Sequence, residues 1–359
     1  MRPQITSFVL VLVLAASALP AQAPPAAGAP PVANAKLETA SAAAGLEAAV
    51  HQAGARGQEP VWAAWSVPMI PNQRYVCCLG KNWKQTACHL EGKNQSWGST
   101  DDIKAPPDQD LLVLVRLQGR EIGKVGAYSA NCQLDADGRR FVWLGEVRPE
   151  ESVALLAKVI RSSEGSAKRP AHVAEEAMTA LSFHRNARAD DVLEDLASPG
   201  RSDKMREDAL FWLGQNRGER GARFLTRVMA SDADDEIRKK AIFSLSQSEA
   251  AGVADAIIRV SREDRVADVR GEALFWLAQM GDPKAPDVIF QAIDRDPDME
   301  VRKKGVFALT QLPKGRGTPF LVRLGREGKQ REIRKEALFW LAQSDDPAAL
   351  QYLDKVLNE

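Results

Sequence analysis

The chain is poor in the residues that most enzymes rely on. Its 359 residues include only four cysteines, four histidines and three tyrosines. So few groups titrating near neutral pH leave little material for acid–base catalysis. There is no Gly-rich phosphate loop, no paired set of metal ligands and no Ser-His-Asp arrangement, and His51, His172 and His184 have no cysteine beside them. An excess of one charge is missing too. Lys+Arg and Asp+Glu both number 48, for a formal net charge of +0, which removes the electrostatic basis for holding nucleic acid or an anionic membrane. Beyond Ala23 no run is apolar enough to cross a bilayer.

The stretch up to Ala23 has the form of an export signal. Arg2 supplies the positive start, Phe8 to Leu14 is unbroken apolar sequence, and Ala21-Gln22-Ala23 fits a small-x-small cleavage pattern. The apolar core is too short for a permanent anchor, and no cysteine near the cut offers a lipid attachment point. The expectation is an exported protein of the periplasm or extracellular space, with residues 1–23 removed and no membrane insertion afterwards. Residues 24–60, built largely of Ala, Pro and Gly, are expected to be a disordered tether, because they carry too little apolar surface to offset the entropy of ordering.

Residues 61–148 differ in texture. All four cysteines lie here, with five of the eight tryptophans: Trp62, Trp65, Trp83, Trp97 and Trp143. Runs rich in β-branched and aromatic residues alternate with turn signals, which predicts a small β-rich domain. Asp137-Gly138, between Cys132-Gln-Leu and Phe141-Val-Trp, predicts a hairpin. In an exported chain an even cysteine count reads as disulfides. Cys77 and Cys78 are adjacent and face opposite ways in a strand, so each is expected to bond to one of Cys88 and Cys132, in either arrangement. A metal site of Cys77, Cys78, Cys88 and His89 is the less favoured alternative, since vicinal ligands do not close a tetrahedron readily. No metal or other cofactor is expected. The tryptophans are read as core, with a sugar-binding platform as the rival. Residues 149–170 are expected to be a helix and a connector.

From residue 171 to 359 the chain repeats itself. Ala-Leu-Phe-Trp-Leu stands at Ala209, Ala273 and Ala337, in three evenly spaced copies, and Ala241-Ile-Phe-Ser-Leu and Gly305-Val-Phe-Ala-Leu lie midway. The underlying period is 32, and position-by-position comparison gives columns. Leu181, Leu213, Leu245, Leu277, Leu309 and Leu341 form one; Leu193, Leu225, Ile257, Ile289, Leu321 and Leu353 form another. Breakers such as Gly281-Asp-Pro283 sit between them. Each period is an α-hairpin whose apolar face is buried by its neighbours.

The opening Val-Arg-x-x-Ala of these units resembles HEAT-like repeats, particularly the short type found in bilin lyases. It is seen at Ile237-Arg238, Val269-Arg270, Val301-Arg302 and Ile333-Arg334, with Met205-Arg206 before them. Asp232, Asp264 and Asp296 stand at the family's acidic position. The resemblance covers residues 171–359. It implies that Arg206, Arg238, Arg270, Arg302 and Arg334 tie adjacent repeats together, and it transfers no catalytic residue. The fold expected is mainly α: an exported bacterial chain with a C-terminal α-solenoid of about six 32-residue helical hairpins, preceded by a small disulfide-bearing β-rich domain.

Several columns go beyond the core. Trp212, Trp276 and Trp340 alternate with the small Ser244 and Ala308, and Asp208, Lys240, Glu272, Lys304 and Glu336 alternate in sign. The first pattern predicts an indole spread over each small neighbour, and the second predicts charges that order the stack. Gln215, Gln247, Gln279, Gln311 and Gln343 are read as helix-end partners. Phe211, Phe243, Phe275, Phe307 and Phe339 fall nearly opposite the core face at 100° per residue. They form either an exposed binding row or rings folded into the grooves between first helices. Arg227, Arg259, Arg323 and Lys355, interrupted by Gln291, form a basic row on the second helices that suits an acidic peptide or polymer. The function expected is non-catalytic: a scaffold holding another protein or peptide along the solenoid. Carbohydrate binding by the tryptophan-rich module and a bilin-lyase-like activity are the alternatives.

Overall fold

The computed structural model describes residues 28–57, 59–71, 76–79, 86–92, 96–98, 109–164 and 171–358. The export signal therefore lies outside the described residues, as do Trp83 and the connector after residue 164.

The N-terminal part is a mixed five-stranded sheet with both faces covered. Its strands in spatial order are β2 (Lys36–Thr39), β10 (Arg140–Glu146), β3 (Val61–Pro68), β7 (Asp110–Gln118) and β8 (Glu121–Ser129). β10 runs parallel to both β2 and β3, while β3, β7 and β8 form an antiparallel meander. β3 is buried along nearly its whole length, as a strand covered on two sides must be. One face presents Val61, Ala63, Trp65, Val113, Val115 and Val142 to helices α1 (Leu46–Ala55), α2 (Pro149–Ser163) and α3 (Ala171–Ser182). The other presents Trp62, Ala64, Leu112, Leu114, Phe141 and Trp143 to a layer of short strands: β1 (Val32–Ala33), β4 (Cys77–Leu79), β5 (Cys88–His89), β6 (Ser96–Gly98) and β9 (Leu134–Asp135).

Two disulfides hold that layer, Cys77–Cys132 and Cys78–Cys88, and there are no free cysteines. All four cysteines are buried against the sheet. The pairing excludes a metal site at Cys77, Cys78 and Cys88.

Two expectations fail here. Lys36–Thr39 and Leu46–Ala55 belong to the folded module, so residues 24–60 are not a tether throughout. β2 takes the sheet edge beside β10, and Leu46, Val50 and Ala53 are buried. The Ala-rich helix succeeds because it packs closely: a Cβ on Gly54 would come within 1.9 Å of the carbonyl of Gly119 in the β7–β8 turn. The Asp137-Gly138 hairpin is also absent. Both residues take positive φ, 50° and 80°, but the turn carries the chain from one sheet to another. β9 pairs with β1 and β5, not with β10.

From α3 onward the structure is helical. The pairs are α3 with α4 (Ala187–Leu196), α5 (Asp203–Asn216) with α6 (Gly218–Ser231), and α7 (Asp235–Ser246) with α8 (Val253–Glu263). They continue as α9 (Ala267–Gln279) with α10 (Ala285–Arg295), α11 (Met299–Thr310) with α12 (Thr318–Glu327), and α13 (Arg331–Ala342) with α14 (Pro347–Asn358). First helices neighbour first helices, and second helices neighbour second helices, down the array. The leucine column from Leu181 to Leu341 is buried in all six pairs. Asp234 and Asp298 cap α7 and α11 through their side chains.

Module and array share one continuous apolar core. The backbone stitches them as well: Ile70 N donates to Phe183 O (2.9 Å) and Arg185 N to Pro68 O (2.9 Å). Glu176 of α3 accepts from the outward amide of Val125 on edge strand β8 (2.7 Å), so a polar edge is closed by the first repeat. Burial raises the pKa of that carboxyl. Beneath the seam, Trp65 Nε1 donates to Ser152 Oγ (2.8 Å), Ser152 Oγ lies 2.7 Å from His184 Nε2, and His184 Nδ1 lies 2.8 Å from Ala180 O. A neutral imidazole protonated at Nδ1 satisfies all three contacts. Burial pushes the pKa of His184 down to about 4.

Candidate functional site

The recurring arginines form an internal ladder. Arg238 grips Asp264 with two bonds (2.9 and 3.0 Å), and Arg270 grips Asp296 the same way (2.8 and 2.8 Å). Arg206 meets Asp232 at 2.5 Å. In every case the acid belongs to the following repeat. The same guanidinium also reaches backward: Arg238 to Asp232 O, Arg270 to Asp264 O, Arg302 to Asp296 O and Arg334 to Gly328 O. Arg206, Arg238 and Arg270 are buried, and a planar fork is the group that can satisfy a carboxylate and a carbonyl together. These side chains tie repeats to one another and present nothing outward.

The phenylalanine column behaves differently, and it takes the tryptophans with it. Phe211 and Phe243 stack at 6.2 Å with planes 18° apart, and Phe275 and Phe307 at 6.0 Å with planes 4° apart. Between these stacks stand indoles. Trp276 lies 4.8 Å from Phe243 and 5.0 Å from Phe275; Trp340 lies 5.0 Å from Phe307 and 5.1 Å from Phe339. At the N-terminal end Trp212 bridges Phe211 (5.1 Å) and Phe183 (5.9 Å). Nine rings from five first helices and the turn after α3 thus form one unbroken ridge. Phe183 is buried, seven rings are half-buried, and Phe339 is 54% exposed. Both placements open from the sequence are partly realised. The rings do fold into the grooves between first helices, and their edges still face solvent.

The ridge explains why the full motif recurs only in every second repeat. An indole in alternate repeats reaches back to the preceding phenylalanine, and the residues beside those phenylalanines, Ser244 and Ala308, are covered. The charge column does not order the stack as expected. Glu272 and Glu336 accept from the indole N–H of Trp276 (2.7 Å) and Trp340 (2.9 Å) on their own helices. The lysines go elsewhere, Lys240 to Glu207 and Lys304 to Asp268. Of the glutamines, Gln279 donates to Gln311 at 3.1 Å.

The N-terminal end of the ridge opens into a groove of about 1070 Å³ at the corner between module and array. Its floor includes Phe183, Phe211 and Trp212, with Ile70 and Val76 contributed by the module and Gln215, Gln247 and Glu249 along the rim. Trp212 differs from its two copies. The residue four before it is Asp208, which pairs with Lys204 (2.7 Å), so no described residue accepts from Trp212 Nε1. Arg217 locks the corner beneath, donating to the carbonyls of Ser182 (3.0 Å), His184 (2.9 Å) and Asn186 (3.2 Å) and pairing with Asp190. The sequence did not single out Arg217, because its column is not constant: Arg185, Glu249, Gly281, Pro313 and Asp345 hold the position in the other repeats.

The remaining candidates fall away from this groove. Arg227, Arg259, Arg323 and Lys355 are exposed on the second helices; Arg227 lies over the ring of Phe224 and Arg323 over that of Phe290. Among the described side chains no sugar-binding platform is built; those of Trp83 and Trp97 lie outside them. Trp62, Trp65 and Trp143 are buried, and Trp62 and Trp65 project from opposite faces of β3. His89, Asp135 and Asp137 come close together, but Asp135 accepts from Asn34 (2.7 Å) and Asp137 from the amide of Glu91 (2.9 Å), which makes them the ties of a turn.

Comparison with known proteins places the array. Residues 254–338 match the HEAT repeats family. The array is built of HEAT-like repeats. No curated protein matches the chain. Among solved structures, human deoxyhypusine hydroxylase in complex with glycerol is 17% identical over 56% of this chain and 74% of its own, with a TM-score of 0.29. The complex of CpcE and CpcF of phycocyanin lyase from Nostoc is 19% identical over 54% and 76%, also at 0.29. At such scores neither chemistry transfers to these repeats. No helix among the described residues is long and apolar enough to cross a membrane.

Proposed function

We propose that this HEAT-like protein is a non-catalytic scaffold that holds an extended segment of another protein along the aromatic ridge, anchored in the corner groove. The observation that carries this reading is the continuity of the ridge: nine rings in contact, eight of them partly open to water, running from the corner groove to the last repeat. Half-buried rings held by one another lose little entropy when a ligand covers them. Trp212 Nε1 offers a directional donor at the anchored end. Two disulfides support a place outside the reducing cytoplasm, in the periplasm or extracellular space.

The test is a peptide library selected against the full chain. Selected peptides should lose about tenfold or more in affinity on Phe339→Ser or Trp212→Phe, as expected when ring burial or one hydrogen bond is lost. They should bind Arg259→Gln unchanged. Peptides that ignore the ridge substitutions would move the binding surface elsewhere.

A further inference from the structure

One rung of the arginine–aspartate ladder lacks its acid. Arg206, Arg238 and Arg270 each reach forward by the same sequence interval to Asp232, Asp264 and Asp296. For Arg302 the equivalent position is 328, and the residue there is glycine. The backbone follows the same course regardless. Gly328 has φ −57° and ψ 127°, against −63° and 136° at Asp264 and −59° and 134° at Asp296, and in each case the amide donates to the carbonyl four residues before. Only the carboxylate is missing. Arg302 Nε is committed to the carbonyl of Asp296, and the two terminal nitrogens donate to no described residue.

A cavity of about 420 Å³ lies at this rung, with Arg302 and the apolar side chains of Phe290, Ile293, Leu324 and Ile333 in its lining. The carboxylates nearby are already engaged: Asp296 by Arg270, Asp294 by Lys329 (2.8 Å), and Glu327 by Arg323 and Arg326. In the cavity lining itself, Arg302, Arg323 and Lys329 face Asp294 and Glu327, so the cavity keeps one positive charge in excess in a protein whose net charge is zero.

We propose that this cavity is a carboxylate-binding site. An acidic group from outside the chain fills the place of the missing aspartate, accepting from the two terminal nitrogens of Arg302, since Nε is held by the Asp296 carbonyl. The apolar lining selects an acid carried next to an aliphatic or aromatic group. The shared chemistry is a carboxylate, supplied either by an acidic residue of a partner protein or by a small free acid. The site shares no residue with the aromatic ridge and stands independently of it.

The experiment uses the full chain and calorimetric titration with acetyl-Leu-Asp-Leu-amide, its Asn counterpart and sodium succinate at constant ionic strength. The Asp peptide should bind at least about tenfold more tightly than the Asn peptide, the margin of one charge-assisted contact. Arg302→Gln should abolish the difference. Arg302→Lys keeps the charge but not the fork and should recover only part of it, while Arg259→Gln should leave it intact. Succinate binding that depends on Arg302 assigns the site to small acids; binding of the peptide alone assigns it to a partner's acidic residue. Gly328→Asp should close the site from within, although its Cβ approaches Leu324 O at 2.5 Å and demands a local shift. The proposal is overturned if both peptides bind equally, if Arg302→Gln leaves binding unchanged, or if nothing binds at about 10 mM.

Discussion

Phe275 and Phe307 lie face to face across two repeats, their planes 4° apart and their centroids 6.0 Å apart. This stack shows why the chain repeats in pairs of hairpins as well as singly. Phenylalanines from four successive repeats make the two stacks; Trp276 joins one stack to the other, and Trp212 and Trp340 extend them to Phe183 and Phe339. The surface that results is rigid because neighbouring rings hold one another in place.

Removing one joint should therefore cost measurable stability. Trp276→Ala loses contact with Phe243 and Phe275 and the bond to Glu272. The indole is half-buried, so the expected loss is about 2 kcal/mol, below the range for fully buried aromatics. Urea denaturation checks this, and a loss under about 1 kcal/mol would show that the ridge adds little to the stack.

The ladder predicts a contrast between chemically identical substitutions. Arg238→Gln strands the buried carboxylate of Asp264 and should cost about 3 kcal/mol. Arg302→Gln strands no acid, because position 328 is glycine, and should cost less than about 1 kcal/mol. Equal losses in denaturant titration would mean that the carbonyl contacts, not the carboxylates, hold adjacent repeats.

His184 makes stability depend on pH in a defined window. Its folded pKa is depressed to about 4 by burial, while the unfolded chain takes up the proton near 6.5. The unfolded state thus binds more protons between those values. Stability is complete above about 6.5 and falls as pH drops toward 4, by about 3 kcal/mol in all. Denaturation midpoints from pH 7.5 to 4 should show this slope in the wild type and a flatter one in His184→Gln. The same slope in both would assign the effect to groups other than His184, and not to Glu176, whose raised pKa acts in the opposite sense.

The two disulfides should differ in weight. Cys77–Cys132 spans 55 residues of sequence and Cys78–Cys88 spans 10. Chain-entropy arguments give about 4 kcal/mol for the longer loop and about 3 for the shorter. Paired Cys→Ser variants, unfolded separately, should follow that order. The reverse order would point to native contacts of the Cys78–Cys88 loop as the larger contribution.

How much was legible from sequence depended on the distance between interacting residues. The helical pairs, the leucine core and the arginine ladder were readable because each repeat meets a copy of itself next door, so one chain displays its own columns. The phenylalanine column could be located but not oriented, since helix angle alone leaves a ring between neighbouring helices free to turn in or out. The acidless rung at Gly328 is visible in the letters, yet it gains meaning only from the cavity beside Arg302.

The N-terminal module shows the other limit. Composition marked residues 24–60 as unable to order themselves, and alone they lack the apolar surface to do so. Lys36–Thr39 become a strand because β10, far along the chain, presents an edge, and Leu46–Ala55 become a helix because a sheet and α2 cover their small side chains. The disulfide pairing was open for the same reason. Local periodicity by itself determined the repeat and its buried face, because a helix and its nearest copy are short-range facts of the chain. Strand order, cysteine partners and the seam at Trp65, Ser152 and His184 were decided only when distant segments met, since a contact of that kind leaves no period in the sequence to read.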